Sequence, residues 1–173
     1  MKKSIKVLAT MFMLLLIVVQ LSTVAFAKTD IPAATSDFYV NDFAGVFSEA
    51  EKEVLMENAV TLSDQYDGTQ VVVTTIESLG GVSIENYALE MYNQYGIGKD
   101  DMGLLVLLST GDRQIRVEVG KAMEAYINDS KAGRFMDQYA IPYLAEDQFA
   151  EGLINLQEAF VSEIRNQLDE EAT

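Results

Sequence analysis

The chain has 173 residues, with 27 acids against 12 basic residues and neither histidine nor cysteine. That composition excludes a Ser-His-Asp triad, a Cys-His pair, an imidazole zinc site and any disulfide framework. A formal charge of −15 argues against a nucleic-acid partner, and the side chains left for chemistry are hard oxygen ligands suited to calcium or magnesium.

The first 27 residues read as a signal peptide. Lys2, Lys3 and Lys6 precede an apolar run from Val7 to Val19, and Ala25-Phe26-Ala27 supplies the small residues of a cleavage site, so cleavage is expected after Ala27. The alternative is retention as an anchor, which the short apolar core disfavours: a span needs about 20 residues. Without cysteine there is no lipoprotein attachment. The expectation is therefore a secreted or cell-envelope protein with no membrane span after signal removal. The remainder divides into a flexible leader (28–37), one domain (38–168) and a short tail (169–173). Nine basic residues remain against all 27 acids, so a cation is the favoured small partner.

Within the domain, "FYVNDFAGVF" reads as a short extended segment and turn. Ser48 with Glu51 forms a capping box, and Leu55, Ala59, Leu62 and Tyr66 give the following helix one apolar stripe. "QVVVTTI" (70–76) is too uniformly apolar for a half-exposed strand and predicts a buried one. Ser83 caps a second helix carrying Ile84, Ala88, Met91 and Tyr95, which Gly96 ends. "GLLVLLS" (103–109) is a second buried strand, and strand-helix-strand at this spacing is a right-handed βαβ unit. "QIRVEV" (114–119) alternates, with Ile115, Val117 and Val119 inward and Arg116 and Glu118 outward, as a hairpin partner at the sheet edge. Helical pieces follow over 122–127 and 130–139, then a break at Pro142 and a long helix over 147–168. The predicted fold is a three-layer α/β/α sandwich around a small mixed, mainly parallel sheet.

That topology sorts the acids. Asp42, Glu77, Asp112 and Arg113 should gather at the carboxyl ends of the parallel strands, the usual ligand side of such sheets. Asp100, Asp101, Glu118 and Glu124 should gather at the opposite end, where glycines at 96, 98, 103 and 120 permit tight turns and close approach. Either cluster is a candidate cation site. The plain alternative is a solvated acidic loop. Tyrosines 87, 92, 95, 126, 139 and 143 fall mostly on helical stripes and read as core-edge residues.

The blocks "YVNDFAGVFSEAEK", "GTQVVVTTIESLGGVSIENYA", "YGIGKDDMGLLVLLSTGDRQIRVEVGKAME" and "FAEGLINLQEAF", from Tyr39 to Phe160, together resemble the TPM domain. That family takes its name from a thylakoid-lumen phosphatase-like protein, a photosystem II repair protein and a nematode acetylcholine-receptor auxiliary protein. The resemblance implies an α/β/α sandwich, export to an envelope or lumen, calcium binding in some members and acid phosphatase activity in the plant branch. It carries Asp42 over as the Asp of the opening block and Glu124 as the acid of the closing Gly-x-x-x-Glu segment. Two features depart from the family pattern: Met102-Gly103 stands where members often have Asn-Gly, and the membrane helix or glycine-rich tail of many bacterial members does not follow.

The favoured reading is an accessory or interaction module of the envelope, with an envelope protein as partner. It binds a divalent cation, calcium or else magnesium, through Asp42, Asp100, Asp101, Glu118 and Glu124. Its rival is a metal-assisted phosphomonoesterase using Asp42 or Asp112 with Arg113 steadying the phosphate. A third reading is a metal-free structural domain that binds a protein partner.

Overall fold

The computed structural model describes residues 30–173; the signal peptide expected at 1–27 lies outside the described residues. In chain order come β1 (Val40–Asp42), α1 (Glu49–Gln65), β2 (Gln70–Ile76), α2 (Ile84–Tyr95), a 3₁₀ turn (Lys99–Asp101), β3 (Gly103–Ser109) and β4 (Gln114–Val119). A second 3₁₀ turn (Met123–Ala125), α3 (Asp129–Phe135), a π-helical turn (Met136–Ala140), α4 (Ile141–Leu144) and α5 (Phe149–Glu171) complete the chain.

The sheet order is β1-β2-β3-β4, with the first three strands parallel and β4 antiparallel on the edge. β2 and β3 pair over their full lengths, Gln70 opposite Gly103 through Ile76 opposite Ser109. Every residue of β3 is buried because both faces of the sheet are covered. Leu104, Val106 and Leu108 join Leu55, Leu62, Leu153, Leu156 and Phe160 under α1 and α5. Leu105 and Leu107 join Ile84, Tyr87, Ala88 and Met91 beneath α2 on the other face. The result is the expected α/β/α sandwich, with α1 and α3 to α5 on one side and α2 on the other.

Local chemistry sets the element ends. The Ser48–Glu51 capping box is present, with the Ser48 amide donating to Glu51 Oε2 at 2.7 Å. The Ser48 hydroxyl and backbone hold the Glu51 carboxyl below its ordinary range. Ser83 caps α2 through the Asn86 amide, and Gly96 closes it in the left-handed conformation at φ 62°.

One expectation is made more specific and three are corrected. "YVNDF" contains a true parallel strand: Val40 lies opposite Val73, so a three-residue segment too short for any periodic signal extends the sheet. Pro142 does not break a helix. It sits in the first turn of α4, where a missing amide hydrogen costs little, and the break falls at 145–148, around Asp147 at φ 60°. Arg116 and Glu118 do not face water freely, since the face of β4 that bears them is half-buried. The leader is tied down from residue 30: Ile31 is buried, and Tyr87, Gln94 and Tyr95 of α2 donate hydrogen bonds to the carbonyls of Asp30, Ile31 and Pro32.

Candidate functional site

The two predicted acid groups do fall at opposite ends of the sheet, and their environments differ. At the carboxyl end, Asp42 closes β1 with a side chain only 3% exposed. Its Oδ1 accepts from the Val46 amide at 2.9 Å and the Thr75 hydroxyl at 2.6 Å, and its Oδ2 accepts from the Phe47 amide at 3.1 Å. Lys52 stands 3.9 Å away. Asp42 thus ties the β1–α1 turn to β2, and internal donors occupy both of its oxygens.

Asp112 has a comparable post. Its Oδ2 accepts from the Leu79 amide and the Ser109 hydroxyl, both at 2.7 Å, linking the hairpin turn to the loop after β2. Those donors, the Leu79 amide foremost, hold its carboxyl below the ordinary range. Arg113 adopts φ 52°, pairs with Asp147 and donates to the Leu144 carbonyl at 3.1 Å. It borders an apolar cavity of about 180 Å³ lined also by Leu108, Ile115, Ile141 and Phe149. Glu77 is exposed, and its carbonyl accepts from Gly111.

At the opposite end, a loop is pinched shut by two glycines. A Cβ on Gly98, which has φ 81°, would stand 2.3 Å from the Gly103 nitrogen, and one on Gly103 would stand 2.7 Å from the Ile97 carbonyl. Only glycine permits such backbone contact. Around this neck the Gly98 amide donates to Gln70 Oε1, Lys99 donates to the Gly68 carbonyl, and Met102 donates to the Lys99 carbonyl. Lys99 Nζ pairs with Asp67 at 2.6 Å.

At the tip, Asp100 and Asp101 both take left-handed conformations, φ 55° and 64°. Two consecutive non-glycine residues in that region store strain, and aspartate is among the few side chains that tolerate it. Both are exposed. Neither carboxylate has a hydrogen-bond or ion-pair partner among the described residues, in contrast to Asp42 and Asp112.

Gly120, at the exit of β4, forms a notch beside this tip. A Cβ there would stand 2.2 Å from both the Asp101 carbonyl oxygen and the Tyr92 hydroxyl. The Gly120 amide donates to the Gly103 carbonyl at 2.8 Å, and the Tyr92 hydroxyl reaches that same carbonyl at 3.5 Å. Burial pushes the Tyr92 hydroxyl up to about 12, assisted by the negative charges of Asp101 and Glu118. The Glu118 side chain is 17% exposed and 3.4 Å from Arg116, whose Nε is buried without a partner. Glu124 is exposed on the turn after Gly120, and its amide donates to the Gly120 carbonyl.

Among the described residues, no three Asp or Glu side chains are grouped closely enough to hold one ion. The donor set at the notch fits a cation in a restricted way: at most two carboxylates, with the Asp101 carbonyl and water completing the shell. The sequence reading placed Tyr92 at the core edge and overlooked its hydroxyl as the centre of this notch. The signal that could have found it is the trio Gly98, Gly103 and Gly120, each facing another backbone.

A three-layer α/β domain with a strained acidic loop at the amino ends of its central strands is the class these features define. The chain belongs to the TPM domain family: the family model described as TPM_phosphatase, TPM domain, matches residues 40–163. Among solved structures, the N-terminal domain of a P. gingivalis protein is similar, with TM-score 0.71 and 28% identity over 76% of this chain and 84% of that one. The N-terminal domain of a Corynebacterium glutamicum protein has TM-score 0.58 and 18% identity over 80% of this chain and 86% of that one. No curated protein matches this chain.

Proposed function

We propose that this TPM domain is a divalent-cation-binding accessory module of the cell envelope, with calcium its principal ion. The observation that carries the reading is the Asp100–Asp101 tip: two adjacent, unpartnered carboxylates in strained left-handed conformations on a loop whose neck is fixed by Gly98 and Gly103. A solvated acidic loop would gain nothing from that rigidity. For a cation the rigidity is useful, because the backbone of both aspartates is fixed before the ion arrives and neither carboxylate has to give up a protein partner to bind it. Asp100 and Asp101 would supply charge and the Asp101 carbonyl a neutral oxygen, and the ion would offset the field that Asp101 places on Tyr92. Asp42, wholly engaged by internal donors, serves the fold in this reading.

The phosphatase reading draws support from the name of the matching family model, but the side chains it needs are committed elsewhere. Asp42 is enclosed, and Arg113 is bound to Asp147 and the Leu144 carbonyl. Steady hydrolysis of a chromogenic phosphate ester, lost in Asp42→Asn while folding persists, would restore it.

Thermal unfolding with and without calcium tests the cation reading. At ten times the dissociation constant an ion stabilises by about 1.4 kcal/mol, which raises the melting temperature of a domain this size by roughly 3–6 °C. An unchanged melt in 10 mM calcium would remove it.

A further inference from the structure

Between the π-helical turn and α5 lies an open groove of about 370 Å³, lined by Gln138, Tyr139, Tyr143, Asn155, Glu158 and Ala159. Two backbone features build it. The Ile141 amide donates to the Met136 carbonyl five residues back, the wide turn that recurs at functional sites in helical segments. Gly152 then lets α4 lie close on α5: a Cβ there would stand 2.6 Å from Leu144 Cδ1 and 3.1 Å from Tyr143 Cβ. This close approach brings Tyr143 into the same groove as Asn155, one turn further along α5. The Tyr139 ring is held in place by an edge contact with Phe135, centroids 5.5 Å apart, which in turn lies 5.4 Å from Phe160 in the core. None of the five polar side chains in the groove has a hydrogen-bond or ion-pair partner among the described residues.

Two aromatic rings, two amides and a carboxylate converge on one depression with their polar atoms unspent. Amides offer donors and acceptors together, the carboxylate offers acceptors only, and the rings offer flat apolar faces. We infer that the groove binds a neutral sugar residue of a glycan, whose C–H faces stack on tyrosine and whose hydroxyls match amide and carboxylate. A purely apolar ligand would strand five polar groups. An anionic ligand would meet Glu158 and a strongly negative molecule. The open shape fits a weak, millimolar contact that gains strength when repeated along a polymer.

The test is a two-dimensional NMR titration of the full chain with glucose oligomers and N-acetylglucosamine oligomers, with a Gly-Ser peptide of similar length as control. Shifts centred on Gln138, Tyr139, Tyr143 and Asn155 are expected with one sugar series and not with the peptide. Asn155→Ala and Glu158→Gln, both with unchanged melting temperature, should weaken binding at least fivefold. Silence toward both sugar series at tens of millimolar, equal shifts with the peptide, or undiminished binding in both variants would each overturn the proposal.

Discussion

Replacing Asp42 by alanine removes an acceptor on which three donors depend. The Val46 and Phe47 amides and the Thr75 hydroxyl converge on a carboxylate 3% exposed, so water cannot readily take its place. Hydrogen bonds to a charged group contribute about 1.5–3 kcal/mol each, and coupling among bonds on one carboxylate reduces their sum, which gives a loss of about 4–6 kcal/mol. The Lys52 contact at 3.9 Å adds little to this. Asparagine at this site keeps an oxygen for Val46 and Thr75 but points a donor at the Phe47 amide, and the expected cost is about 1–2 kcal/mol. Against a total stability of about 5–15 kcal/mol, the alanine variant should unfold at a far lower urea concentration and the asparagine variant slightly earlier than the parent. Equilibrium urea unfolding followed by circular dichroism measures both. The asparagine variant should also bind calcium as the parent does. If alanine costs under about 1 kcal/mol and calcium binding disappears in both variants, Asp42 is a ligand rather than an anchor and the assignment of the two sheet ends is reversed.

Three further outcomes follow from the same geometry. Gly120→Ala places a methyl group 2.2 Å from the Asp101 carbonyl and the Tyr92 hydroxyl, so the acidic loop must shift; a loss of about 1–3 kcal/mol in urea unfolding is expected, together with weaker calcium binding. Tyr92 ionises at about 12 in the folded chain against an ordinary value near 10, so its contribution to stability is full below pH 10 and is lost as pH rises toward 12. Calcium should lower that midpoint, read from the Tyr92 ring carbon in an NMR titration, because it neutralises Asp101; burial, the larger cause, keeps it above 10. Asp112 has its pKa lowered by folding, so its contribution is present above the ordinary carboxylate range and is lost as pH falls through its lower folded value. Asp112→Asn should accordingly flatten the acid side of the stability profile, and an unchanged profile would contradict the Leu79 and Ser109 bonds.

Much of the frame was legible in the sequence because local signals and tertiary context agreed. β2, β3 and β4 could be placed from continuous or alternating apolar runs, and both caps of α2 from Ser83 and Gly96. β1 was legible only as a short extended segment, because three residues have no periodicity; pairing with β2, some thirty residues away, makes it a strand. Pro142 misled because proline reads as a breaker in a pattern but is tolerated in a first turn. At the site, the separation of the acids into two ends followed from strand direction alone. Which acids were already satisfied did not, because the partners of Asp42 and Asp112 are backbone amides and hydroxyls that any sequence supplies. Nor did the role of Tyr92, whose ring lies on a core stripe as predicted while its hydroxyl meets Asp101 and Gly120 only through the fold.

Calorimetric titration of the parent chain, Asp100→Asn and Asp101→Asn with calcium and then magnesium tests the cation assignment most directly. One carboxylate about 4 Å from a doubly charged ion in water contributes about 2 kcal/mol, so each substitution should weaken binding by roughly 30-fold. The parent should bind calcium at about 10⁻⁴ to 10⁻³ M. Absence of heat with the parent at 10 mM calcium, or equal affinity in all three proteins, would contradict it.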